Sequence, residues 1–202
     1  MGEPRTVSEQ KHEAILRAAA DEFEENGFQS TSMDRIAERA GVSKRTVYNH
    51  FSSKDELFKA ISKRLLERAH LVTVYPFSHE ETLERQLREI GHRELELLCS
   101  EDFIKLSRVM LAECIRSPEM ARDIFAEIRE GESGIARWIR EAADAGRLGI
   151  NDPVMAADQF TALIKAFVFW PQLVADAPAP SELAGRAVVD SAVRMFLDRY
   201  RV

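Results

Sequence analysis

The 202-residue chain is predicted to be all-α, with an N-terminal three-helix head containing a helix-turn-helix and a C-terminal helical body, about nine helices in all. Three observations predict this. Apolar residues recur at helical spacing along most of the chain, no stretch alternates as a half-buried strand would, and the nine glycines and seven prolines fall mostly at apparent helix boundaries.

The first helix is expected over residues 8–26, burying Ile15, Ala18, Ala19 and Phe23, with Gly27 stopping it. A short second helix starts at Thr31 or Ser32, either of which can cap free backbone N–H groups, and Asp34 sits where a first-turn acid is favourable. Met33, Ile36, Ala37 and Ala40 form its apolar face, and Gly41 ends it. Ser43 then caps a third helix, with Val42 placed to staple onto Val47. On this helix Val47 and Phe51 point inward, Arg45 and Asn49 fall on the opposite face, and Thr46 and Tyr48 flank it. Arginine bonds guanine and asparagine bonds adenine at two points each, so this face has what reading base edges requires. Ser53 and Glu56 form a capping box, placing Lys54 in the next first turn as a candidate phosphate clamp.

That fourth helix carries Leu57, Phe58, Ile61 and Leu65 and is expected to run until just before Pro76, as a connector between head and body. The predicted division is a head over 1–52, the connector over 53–76 and the body over 77–202. A second capping box, Ser78 and Glu81, opens a helix towards Ser100 bearing Leu83, Leu87, Ile90 and Leu97, and the next spans 102–115. Ser117-Pro118 starts a helix carrying Ile124, Phe125 and Ile128 to about Glu130. Gly131 and Gly134 predict a break, after which Ile135, Trp138 and Ile139 continue to Ala145. Asp152-Pro153 opens a long apolar helix through Phe160, Phe167 and Trp170 that Pro171 kinks or ends. Ser181 caps the last helix, with Leu183, Val188, Ala192, Met195 and Phe196.

With 45% hydrophobic and 31% charged residues, the composition is that of a soluble globular protein. No stretch approaches a membrane span and MGEPRTVSEQ lacks a signal peptide's apolar run, so a cytoplasmic location and no membrane partner are expected. Cys99 and Cys114 are too few for a disulfide framework and read as reduced core thiols. The net charge of −6 is unevenly spread: residues 1–70 hold 12 basic and 12 acidic side chains, and residues 43–68 hold seven basic against three acidic. A local positive patch therefore coincides with the reading face.

The stretch Gly27-Phe28, Thr31-Ser32-Met33, Ile36-Ala37, Ala40-Gly41-Val42-Ser43, Thr46-Val47-Tyr48, His50-Phe51, Lys54-Asp55, Leu57-Phe58 resembles the DNA-binding domain of the TetR family of bacterial transcriptional regulators, with no broken position. The resemblance implies a sequence-specific regulator on double-stranded DNA with a palindromic operator. It also implies homodimerisation through the last two helices and release of a repressor when a small, largely apolar molecule binds the body. The expected DNA-binding residues are Thr31, Ser32, Ser43, Lys44, Arg45, Thr46, Tyr48, Asn49, His50 and Lys54. His50 has an alternative reading as a capping histidine and Tyr48 as partly core.

For the effector, Arg108, Met110, Phe125, Trp138, Phe160, Phe167 and Trp170 are the candidate lining, although aromatic residues at helical spacing are core more often than pocket. Glu113 and Arg116 join Arg108 as polar candidates, with surface salt bridges the alternative. No cofactor or metal is expected, and the effector is unknown. The five histidines form no ligand pair, there is no glycine-rich phosphate loop, and neither cysteine is flanked by a base, which argues against an enzyme. The rival readings are a helical protein-interaction adaptor and a ligand-dependent activator.

Overall fold

The computed structural model describes residues 6–129 and 132–202, which contain ten helices and no strand. They form two compact units, one of residues 6–65 with 105–127 and one of residues 66–104 with 128–202.

The first unit begins with α1 (Val7–Ser30), capped by Thr6 in a reciprocal box with Glu9. At Gly27 the backbone turns to φ 74°, so α1 is broken where the glycine was expected to stop it. Next come α2 (Met33–Arg39) and α3 (Lys44–His50), capped by Ser32 and Ser43. Between them Gly41 takes φ 64°, and the Gly41 and Val42 N–H groups donate to the carbonyls of Glu38 and Ala37 at 3.1 Å. Those two bonds satisfy carbonyls that the end of α2 would otherwise leave open. Ile15, Ala19, Phe23, Ile36, Val47 and Leu57 are buried at the centre. The rings of Phe23, Phe28 and Phe58 pack with centroids 4.9 to 5.8 Å apart.

Three helices start in one unit and end in the other: α4 (Lys54–Val72), α6 (Glu101–Arg116) and α7 (Pro118–Arg129). Residues 105–127 are held in the first unit by ion pairs of Lys105 with Glu24 and Lys59 with Asp123, and by Gln29 donating to Glu113 at 3.2 Å. Of the break expected at Gly131 and Gly134, Gly131 lies outside the described residues, as do Glu130 and the side chain of Ile128, and Gly134 is the first residue of the next helix.

The second unit comprises the end of α4 with α5 (Leu83–Leu98), α8 (Gly134–Asp144), α9 (Pro153–Ala175) and α10 (Glu182–Tyr200). Its core includes Leu87, Ile90, Trp138, Ile139, Phe160, Ile164, Val189 and Phe196. The helix predicted to open at Ser78 starts later. Ser78 Oγ accepts from the Glu80 and Glu81 N–H groups in a turn, and Thr82 caps α5. Likewise α4 ends at Val72, short of Pro76. Pro171 lies inside α9, which runs on to Ala175 before Asp176 turns to φ 53°. Both cysteines are free and half-buried, and burial raises both thiols above their usual titration range.

Candidate nucleic-acid interface

Two side chains anchor α3. Val47 is fully buried and Phe51, which follows the helix directly, is 4% exposed, while Lys44, Arg45, Tyr48 and Asn49 are all exposed on the other side. Ser43 Oγ accepts the Thr46 N–H at 3.1 Å and lies 2.8 Å from the Thr46 hydroxyl, so cap and first turn are fixed together. Lys44 Nζ is 2.7 Å from Asp34 of α2, and that hydrogen bond and charge raise the lysine above its ordinary range. Both partners are largely solvated, so the pair is weak. Ser32 is exposed and caps α2, whereas His50 is half-buried, its ring edge-on to His12, which stacks on Phe51.

Two residues expected to hold DNA are turned inward. Thr31 is 3% exposed, and its hydroxyl donates to the carbonyls of Glu22 at 3.0 Å and Gly27 at 2.9 Å. Lys54 Nζ donates to the carbonyls of Phe28 (2.6 Å), Gln29 (3.2 Å) and Thr31 (2.9 Å), and lies 4.4 Å from the centre of the Phe28 ring. An ammonium has three donors, so this one is fully used. The cause is the break at Gly27, which leaves the last carbonyls of α1 without helical partners. The expected box at the start of α4 is also rearranged: the Glu56 N–H donates to Ser53 Oγ, but the Glu56 carboxylate accepts from Ser52 N–H and Oγ. Lys54→Met should therefore destabilise the head by about 1–3 kcal/mol, because three carbonyls lose a charged donor. Thermal unfolding without DNA measures this, and an unchanged midpoint would return Lys54 to the list of phosphate contacts.

In the body, the seven candidate ligand residues are not gathered at one site of either unit. Arg108 and Met110 of α6 are half-buried and Phe125 of α7 is exposed, all three in the first unit. Glu113 and Arg116 pair with each other at 2.7 Å. In the second unit Trp138 and Phe160 are fully buried: the Trp138 indole N–H donates to Gln86 Oε1 at 3.0 Å, and Phe160 packs edge-on to Phe196. The expectation that these two line a cavity gives way to a core role, because the neighbouring side chains leave them no free surface. Phe167 and Trp170 are 66% and 48% exposed, and Phe167 joins Leu163, Val188 and Met195 in an apolar hollow of about 240 Å³ on the outer side of α9 and α10.

A larger cavity of about 490 Å³ lies between the end of α4, α5, α8 and α9, with apolar walls from Leu66, Ile135 and Val154 and polar groups from Glu94, Asp158 and Lys165. None of the seven candidates lines it. Its signal in the sequence is an acid, Glu94, in the apolar stripe Leu83, Leu87, Ile90, Leu97 of α5. A second signal is that Asp158 and Lys165 are the only charged residues of α9 and stand seven apart on one face.

A fold of this kind, with a capped helix-turn-helix at one end of an otherwise helical chain, is that of a DNA-binding regulator. Residues 15–61 match the bacterial regulatory proteins of the tetR family, and residues 85–202 match the C-terminal domain of AefR-like transcriptional repressors. The transcriptional regulator RutR of Escherichia coli is 32% identical over 154 residues, covering 74% of this chain and 69% of RutR. A TetR family transcriptional regulator from Pseudomonas syringae superposes with a TM-score of 0.82 at 42% identity, covering 97% of this chain and 100% of that one. The flavonoid-responsive regulator FrrA superposes with a TM-score of 0.75 at 29% identity, covering 96% and 98%. The chain belongs to the TetR family of transcriptional regulators. It is a DNA-binding regulator and not an enzyme, from a family whose members act as dimers with small-molecule effectors. Among the described residues no helix is long and apolar enough to cross a membrane.

Proposed function

We propose that this regulator is a homodimeric repressor that reads a palindromic operator through α3 and leaves it when a small, largely apolar molecule binds the body. The observation that carries the reading is the division of α3 into a buried side, Val47 with Phe51, and an exposed side holding Arg45 and Asn49. Arg45 and Asn49 meet base edges, Lys44, Ser43 and Thr46 meet bases or phosphates at the start of the helix, and Tyr48, His50 and Ser32 contact the backbone. An inverted repeat follows from two-fold symmetry, since each copy reads one half-site.

The exposed apolar face of α9 and α10, with Phe167, Leu183 and Met195 at 66%, 81% and 55% exposure, is the surface a second copy covers. Division into a head over 1–52, a connector over 53–76 and a body over 77–202 makes α4 the element shared by DNA and effector. Each ligand then weakens the other by the same factor, typically about 1–3 kcal/mol. The flavonoid response of FrrA supports an organic effector for this chain.

Selection from a pool of random duplexes, repeated with Arg45→Ala and at stepped salt, tests the reading. An inverted repeat should be recovered by the parent protein. The variant should bind it more weakly by about 1–3 kcal/mol, with relaxed preference at one position of each half-site. An unenriched pool at low salt would sink the proposal.

A further inference from the structure

The cavity between α4, α5, α8 and α9 holds a carboxylate that its surroundings do not satisfy. Glu94 is 4% exposed and projects from the apolar face of α5, and its Oε2 atom is buried without a hydrogen-bond partner. Its nearest cation, Lys165 Nζ, is 3.6 Å from the other oxygen, an ion pair too long for a good hydrogen bond. Buried polar atoms are nearly always paired, and an unpaired acceptor marks a place where something belongs.

The remaining charges point the same way. Three acidic side chains line the cavity, Glu94, Glu132 and Asp158, against two basic ones, Arg140 and Lys165, beside His70. Arg140 is paired to Glu132, and Lys165 is the cation paired with Glu94. Burial and then the nearby Lys165 pull the His70 imidazole below its usual range, with Asp158 opposing them. Burial pushes the Glu94 carboxyl up, against the opposing pull of Lys165, which disfavours its charged form unless a further cation joins Lys165 beside it. The other walls are apolar, and about 490 Å³ is the size of a small-molecule site.

We infer that this cavity binds an organic monocation, an amine or amidine on an apolar body, whose N–H group donates to the free oxygen of Glu94. Asp158 at the rim supplies the second negative charge, and Leu66, Ile135 and Val154 cover the apolar part. The inference sharpens the effector reading proposed above, and rests on it only for the link to DNA release.

The test is calorimetric titration of the full-length protein, without DNA, with three probes of one size: 4-phenylbutylamine, 4-phenylbutan-1-ol and 4-phenylbutyrate. The amine should bind at least about tenfold more tightly than the alcohol, and the carboxylate weakest of all. Glu94→Gln keeps shape while removing the charge, and should weaken the amine roughly 10- to 100-fold with the alcohol unchanged. Asp158→Asn, at an exposed position, is the second variant and should weaken the amine alone, by roughly two- to fivefold. Equal affinity for amine and alcohol, or variants that lower both alike, would overturn the inference. Fluorescence anisotropy of the selected operator then separates the two claims. Release by the amine supports both, whereas amine binding that depends on Glu94 without release leaves the cation site standing and overturns its role as effector site.

Discussion

Trp138→Ala should lower the unfolding midpoint of the second unit by roughly 6–20 °C, the equivalent of about 3–5 kcal/mol. The indole is fully buried, and its N–H donates to Gln86, itself fully buried. Gln86 in turn accepts the Ser78 N–H at 2.8 Å and donates to the carbonyls of Ser78 at 2.9 Å and Glu81 at 3.1 Å. Removing the ring therefore opens a large void and loosens the side chain that ties the turn before α5. Trp138→Phe keeps most of the volume and leaves Gln86 its bond from Ser78, so it should cost much less. Were the indole instead the wall of an open ligand chamber, the alanine variant would unfold within about 1 kcal/mol of the parent.

Gly134→Ala should destabilise the same unit by about 2–4 kcal/mol in urea unfolding. Two effects of opposite sign compete at this position, the first residue of α8. Helix propensity favours alanine over glycine by up to about 1 kcal/mol. Against it, a Cβ here would lie 2.5 Å from Val74 Cα and 2.6 Å from the carbonyl carbon of Thr73. These are backbone atoms with no rotamer to change. The approach is held by the Thr73 hydroxyl, which accepts the buried Ile135 N–H at 3.2 Å. The clash should win, and a variant more stable than the parent would show that the segment before α8 yields instead.

The head was the most legible part of the chain because its signals are local. Gly27 and Gly41 turn the chain at positive φ, Ser32 and Ser43 cap their helices, and Val47 with Phe51 lies opposite Arg45, all within a few residues. The inward bonds of Lys54 and Thr31 are not legible in the local sequence because their partners are distant. The ammonium of Lys54 turns to carbonyls 23 to 26 residues back, and the Thr31 hydroxyl reaches Glu22 nine residues back. Periodicity placed Trp138 and Phe160 on apolar faces, but apolar faces line cores and cavities alike, and only packing separates the two. Glu94 was open to a sequence reading all along. An acid in a leucine stripe breaks a local pattern, and such breaks are expected at functional or strained positions.

The division of labour within α3 bears on how this regulator could change its target over evolution. The residues that hold the helix in place, Val47 and Phe51, are not the ones that face outward, Arg45 and Asn49. Exchanges among exposed polar residues of a helix typically alter stability by no more than about 0.5 kcal/mol. Where α3 reads the operator as proposed, new preferences can thus be sampled at Arg45 and Asn49 while the head stays folded, and a duplicated copy could drift to a different promoter without first losing its structure.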